Sequence, residues 1–364
     1  MKKEHNTVLE LVKYGNKKKD KLLEALDDKT TNWIEVLGYL CYHRVSGLAY
    51  EIMNLIGVRK LDFPVFFTIY MIHESQGIRT NLQKEYIKTI SSKLCEANIK
   101  HVFLKGSVLS STIYPIGARA SNDIDILVSK KSILETKNIL NDLGFLQGKH
   151  DYKMNIIDTA DQDALTKSLD TRGEMFPFVK IINERTIKTI DVDVNFSLDW
   201  TPNSLDSAVD YFLEERILVP VDGDFSIYSL KEEHLFIHLC NHLYKDAVLL
   251  DIVKKRKVLD LYKFVDIYVF IQKYFEQINV EKIYNDSVKH GFDKNVFFTL
   301  NYVSVIFPEI LEISNVVLLR KKFSYVDDNV MKEIFDQYNP ENKMVDKGDL
   351  IDRLFSYDII NKYN

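Results

Sequence analysis

Residues 101–128 read HVFLKGSVLSSTIYPIGARASNDIDILV. Val102, Phe103 and Leu104 form a short apolar run that stops at Lys105-Gly106-Ser107. Val108, Leu109 and Ile113 follow at helical spacing, so the stretch opens as strand, tight turn and helix. At its other end Asp123-Ile124-Asp125-Ile126-Leu127-Val128 alternates as a half-buried strand does. Both carboxylates then lie on one face, and Ile124, Ile126 and Val128 on the other. A phosphate-type turn and a paired-carboxylate strand within thirty residues set the terms for the rest of the chain.

The rest can supply a substantial core. The chain has 364 residues, 46% of them hydrophobic and 28% charged, enough for two or three domains and too apolar for general disorder. Only 13 Gly and 7 Pro stand beside 21 Phe and 20 Tyr, a composition that favours long helices over irregular loops. The formal net charge of −5 provides no global field for holding nucleic acid, so such binding would need a local patch. Cys41, Cys95 and Cys240 are far apart in apolar surroundings, which argues against a disulfide framework and for a reducing compartment. No continuous apolar run has signal-peptide or membrane-span character. The expectation is a cytoplasmic protein without a membrane segment.

Along the chain, residues 1–95 carry apolar positions at helical spacing and read as an N-terminal helical lobe. Residues 96–230 switch to short alternating runs and read as a sheet-bearing core. Within it Ser132 is an expected N-cap for a helix ending at Gly144. Phe178–Ile182 and Ile187–Phe196 read as a hairpin about Asn183-Glu184-Arg185. Its second arm places Ile190, Val192, Val194 and Phe196 on one face and Asp191, Asp193 and Asn195 on the other. From residue 231 to 364 helical spacing returns, giving a C-terminal helical lobe. The fold class expected is therefore α+β.

Two aspartates on one strand face repel when both are ionised, and a divalent cation between them removes the conflict. Hard oxygen donors favour magnesium or manganese over zinc, and a third carboxylate on a neighbouring strand completes a two-metal site. Asp123 and Asp125 are the first two candidates, and the strand that carries Asp191 and Asp193 offers the third. Gly106 permits close backbone approach, and Ser107 opens a helix whose amides and hydroxyl suit phosphate oxygens. Lys105 and Arg119 can neutralise a polyphosphate. Two other features invite a site: His234, His238 and His242, which share a helix face without a zinc-protease pattern and are read as packing or lining of the acceptor cleft, and the basic run Lys254-Lys255-Arg256-Lys257, which lacks aromatic interleaving and is read as a solvated face.

Lys105-Gly106-Ser107, Tyr114-Pro115, Gly117, Arg119 and Asp123–Val128 together resemble the signature of the uncharacterised nucleotidyltransferase family, within the beta-type polymerase nucleotidyltransferase superfamily. The resemblance extends more weakly through Val192–Phe196, Glu233-His234-Leu235 to His242, and Leu259-Asp260-Leu261 to Asp266. It implies a small mixed-sheet core and a Gly-Ser turn holding a nucleoside triphosphate (NTP). It also implies two magnesium ions on the Asp-x-Asp pair and a third acid, best matched by Asp193, with Asp191 as the alternative third ligand. Asn195 departs from it, since the family often has His at that position.

The activity so implied is metal-dependent transfer of a nucleoside monophosphate (NMP) from the NTP to an acceptor hydroxyl, with release of pyrophosphate. The mild charge favours a peptide, protein or small-molecule acceptor over nucleic acid. The alternatives are a toxin-like transferase modifying tRNA and a non-catalytic nucleotide-binding scaffold.

Overall fold

The protein is described from a computed structural model, which covers residues 1–15, 20–57, 63–184, 187–198, 206–254, 259–336, 339–345 and 349–355. The chain divides into two compact units, one of residues 74–235 and one of residues 1–73 with 236–364.

The first unit is built on an eight-stranded sheet. Its strands are β1 (His101–Phe103), β2 (Asp123–Val128), β3 (Leu146–Asp151), β4 (Ile156–Thr159), β5 (Phe178–Ile181), β6 (Thr189–Asn195), β7 (Ile217–Asp222) and β8 (Phe225–Ser229). They lie in the order β4-β3-β5-β6-β2-β1-β8-β7. Most neighbours are antiparallel, but β2 runs parallel to β6 and β1 parallel to β8. The sheet is therefore mixed, and with the surrounding helices the fold is α+β.

Hydrophobic pattern accounts for the centre of the sheet. Ile124, Ile126, Val128, Val192 and Val194 are fully buried, and they are the residues that alternation sends to one face of β2 and β6. Because side-chain direction repeats every two residues, a one-residue slip would exchange the isoleucines and valines of this apolar layer for the aspartates, so the register is strongly specified. The expected hairpin is present as the antiparallel pair β5 and β6. Asn98, with φ +56, and Gly144, with φ +82, end the helices that precede β1 and β3, in the left-handed conformation that helix ends favour. Ser132 differs from expectation. The helix Ile133–Asp142 follows a 3-10 turn over Lys130–Ser132, and the Ser132 side chain makes no capping bond, since that turn already leads the chain into the helix.

The second unit is helical. Trp33–Tyr42, Ser46–Leu55, Leu261–Tyr274, Val280–His290, Asp293–Ile306 and Ser314–Lys322 are among its helices. Their buried faces are rich in aromatics, including Phe264, Tyr268, Phe270, Phe298 and Phe307. It also holds a two-stranded ribbon, Glu333–Asp336 with Asn339–Val345, where the sequence reading has only helix. Lys263 and Asp246 form an ion pair inside this unit, and Asn295 donates to Asn241 at 2.9 Å. None of Cys41, Cys95 and Cys240 is in a disulfide. No described helix is long and apolar enough to cross a membrane.

Candidate functional site

The parallel pairing of β2 with β6 sets Asp123 opposite Asp191 and Asp125 opposite Asp193. Adjacent strands are about 4.8 Å apart, so alternation along each strand and register between them gather four carboxylates on one face. Sequence alone supplies the alternation. The pairing is a product of the fold.

The carboxylates act on one another. Burial pushes Asp193 well above the usual carboxylate range, and the charges of Asp123, Asp125 and Glu174 push it further, while Lys105 works against them. Asp191 is raised as well, first by burial and then by Asp123, against a hydrogen bond from Thr189 and the charges of Arg79 and His150. Protonation is one way to relieve such a cluster, and a cation is the other.

One cation is built in. Lys105 Nζ donates to Asp125 Oδ1 at 2.7 Å, and Asp125 is buried. Burial alone would lower the lysine, but Asp125, Asp123 and Asp193 outweigh it and hold the ammonium above its ordinary range. A backbone bond from Leu104 N to Asp125 O, 3.0 Å, keeps the start of the turn against β2.

The helix of the turn runs Lys105–Thr112, beginning two residues before the expected Ser107. The Ser107 amide consequently donates to Leu104 O at 3.2 Å and is not a spare phosphate donor. Its hydroxyl is buried without a hydrogen-bond partner, so the side chain carries the free binding capacity at this position. Gly106 is required by packing. A Cβ there would sit 2.4 Å from Ser121 Oγ and 2.5 Å from an Arg119 guanidinium nitrogen. The missing side chain thus brings the buried Arg119 against the turn, and Lys105, Gly106, Ser107 and Arg119 come together as the sequence suggests.

Several supporting residues escaped the sequence reading. Gln83, on the long helix Phe63–Glu96, donates to Ser121 O at 3.5 Å and Asp123 O at 3.4 Å. Ser121 Oγ also donates to Asp123 O, at 3.1 Å. Asn195, which the sequence reading already sets on the aspartate face, donates to Ile126 O at 3.4 Å and ties β6 to β2. Glu174 bridges to Asn195 through the backbone and adds its charge to the cluster. Gln83 and Glu174 lie distant in sequence from the residues they serve, and no local pattern marks either.

The donor chemistry suits a hard divalent cation: carboxylates only, on one face, where burial first and mutual repulsion second raise Asp193. Among the described residues, however, no three Asp, Glu, His or Cys side chains close into a ready metal cage. Lys105 holds Asp125 instead. The histidine row on the helix Glu232–Val248 gathers no three metal-ligating side chains either, among the described residues. His234 is fully buried and stacks on Phe212, with centroids 3.8 Å apart and planes 2° from parallel. The basic run Lys254–Lys257 lies, from Lys255 onward, outside the described residues.

The nucleotidyltransferase-like protein of Paracoccidioides brasiliensis, described as antigenic, has a crystal structure that aligns with 64% of this chain and 91% of its own, at 12% identity and a TM-score of 0.37. No curated protein matches the chain. The family described as uncharacterised nucleotidyltransferase matches residues 29–308, a span that contains the turn, Arg119, both aspartate-bearing strands and the histidine helix. That match covers well over half of the chain, and the protein belongs to this family of nucleotidyltransferase enzymes.

Proposed function

We propose that this nucleotidyltransferase moves an NMP from an NTP to an acceptor hydroxyl, releasing pyrophosphate, with a divalent cation, magnesium or manganese, held by Asp123, Asp125 and Asp193. The observation that carries this reading is the register of β2 on β6, which stacks Asp125 on Asp193 beside Lys105 and the unpartnered Ser107 hydroxyl.

In this reading Asp123, Asp125 and Asp193 orient the bound metal, and Asp191 stands by as the alternative to Asp193. When bound, the metal offsets charge on the triphosphate and lowers the pKa of the attacking hydroxyl. The Ser107 hydroxyl donates to a phosphate oxygen. Arg119, packed on Gly106, neutralises charge that builds on the leaving pyrophosphate, as fixed cations do in phosphoryl chemistry. Gln83 and Ser121 hold the Asp123 backbone so that its carboxylate is placed before substrate arrives.

A peptide, protein or small-molecule acceptor is favoured by the net charge of −5, because polyanion binding draws on counterion release by clustered cations. The cytoplasm is the proposed compartment, in keeping with three unpaired cysteines.

The test is pyrophosphate release from NTP and magnesium with peptide, metabolite and tRNA acceptors. Asp123→Asn and Asp125→Asn should each lower the rate about a thousandfold, ~4 kcal/mol of transition-state stabilisation, with an unchanged circular dichroism spectrum. Full activity in either variant would sink the proposal. Nucleotide binding with no turnover on any acceptor would favour the scaffold reading, and labelling confined to tRNA the toxin-like one.

A further inference from the structure

The proposed ligand Asp125 is already occupied by a residue of the same chain. Lys105 Nζ lies 2.7 Å from Asp125 Oδ1, and the two side chains are only 18% and 4% exposed. Water therefore screens the pair little, and a buried carboxylate that loses its partner is strongly disfavoured. The backbone holds the lysine there under strain. Lys105 has φ +44, a left-handed conformation that a residue with a long side chain rarely adopts and that persists only where the surroundings impose it. The Leu104 to Asp125 backbone bond, and Gly106 packed under Ser121 and Arg119, are those surroundings.

A bare divalent ion that takes Asp125 expels the ammonium and gives it no new anion. An ion carried on a triphosphate brings phosphate oxygens to the same place, and the flexible four-carbon stem of lysine lets the charge swing to them. Magnesium in particular is commonly held by one or two carboxylates together with substrate phosphates.

We infer that Lys105 is a tethered counter-cation that closes the aspartate cluster to free divalent ions and releases Asp125 only when the ion arrives on a triphosphate. This rests on the metal and triphosphate reading of the site given above. Lys105 is then more than a phosphate contact: it makes metal loading conditional on nucleotide and keeps the unloaded cluster from taking up a stray cation.

Manganese binding, read by electron paramagnetic resonance on the full chain with and without a non-hydrolysable ATP analogue, tests this. Wild type should bind manganese weakly alone and well with the analogue. Lys105→Met should bind manganese alone at least about tenfold more tightly than wild type, ~1.4 kcal/mol, and gain less from the analogue. Lys105→Arg, which keeps the charge, should behave as wild type. If wild type loads with the analogue but Lys105→Met binds manganese alone no more tightly, the inference is overturned and the proposed function stands. If no protein takes up manganese even with the analogue, both fall.

Acylation of Lys105 in wild type, followed by mass spectrometry, needs no folded variant. The labelling rate should be the same without ligand and with manganese alone, and change only when manganese and the analogue are both present. A change with manganese alone overturns the inference.

Discussion

The strands β2 and β6 and the helix Glu232–Val248 each carry ionisable residues at regular spacing, and the regularity has opposite meanings in the two places. On the strands, the step of two puts Asp123, Asp125, Asp191 and Asp193 on a face where charge is concentrated and only partly compensated. On the helix, the step of four puts His234 and His238 among buried residues, and His234 lies flat on Phe212. Spacing brings side chains together. Burial and the neighbours they meet decide whether they form a site or a piece of core.

The sharpest way to break this comparison is at His234. Replacing His234 by Ala removes a fully buried stacked ring and should cost about 2–4 kcal/mol of stability in denaturant unfolding, while manganese bound per folded molecule stays the same. Loss of metal without loss of stability would make the histidine row a ligand set after all.

A smaller effect is expected at the turn. In Gly106→Ala the new Cβ meets Arg119 and Ser121 well inside contact distance. The guanidinium, the more flexible of the two, should move. The KM for the triphosphate then rises about tenfold, ~1.4 kcal/mol, and the fold loses on the order of 1 kcal/mol. An unchanged KM would remove Arg119 from the phosphate site.

The smallest effect sharpens the electrostatic side. Asp193 has a folded-state pKa raised above its ordinary value of 3.8. Its contribution to stability is therefore full below that value and is lost as pH rises through the raised one. In chelator, the melting temperature of wild type should fall relative to that of Asp193→Asn, by a few degrees, as pH climbs from the ordinary carboxylate range past the raised value. Parallel melting curves across that window would show that the cluster carries no uncompensated charge.

Much of the fold around the candidate site is legible in sequence because its signals are local. Alternation in 123–128 and 189–195, the Gly-Ser turn, and the helix end at Gly144 each depend on neighbours a few residues away. The helix of the turn starts two residues before the expected Ser107. Ser107 resembles a helix opener, yet the helix begins at Lys105 and the Ser107 amide is already engaged by Leu104 O. Ser132 fails as a cap because a 3-10 turn precedes it. Gln83 and Glu174 have no local signal, since what they do depends on distant backbone brought alongside.

The sequence by itself determined that β2 and β6 each carry aspartates on one face, because a strand's side chains must alternate and the isoleucines and valines must be buried. Only the tertiary structure decided that the two strands lie side by side, parallel, with Asp125 level with Asp193. Only it set Lys105 on Asp125, because strand order, register and a strained backbone angle arise from long-range packing that no spacing of residues encodes.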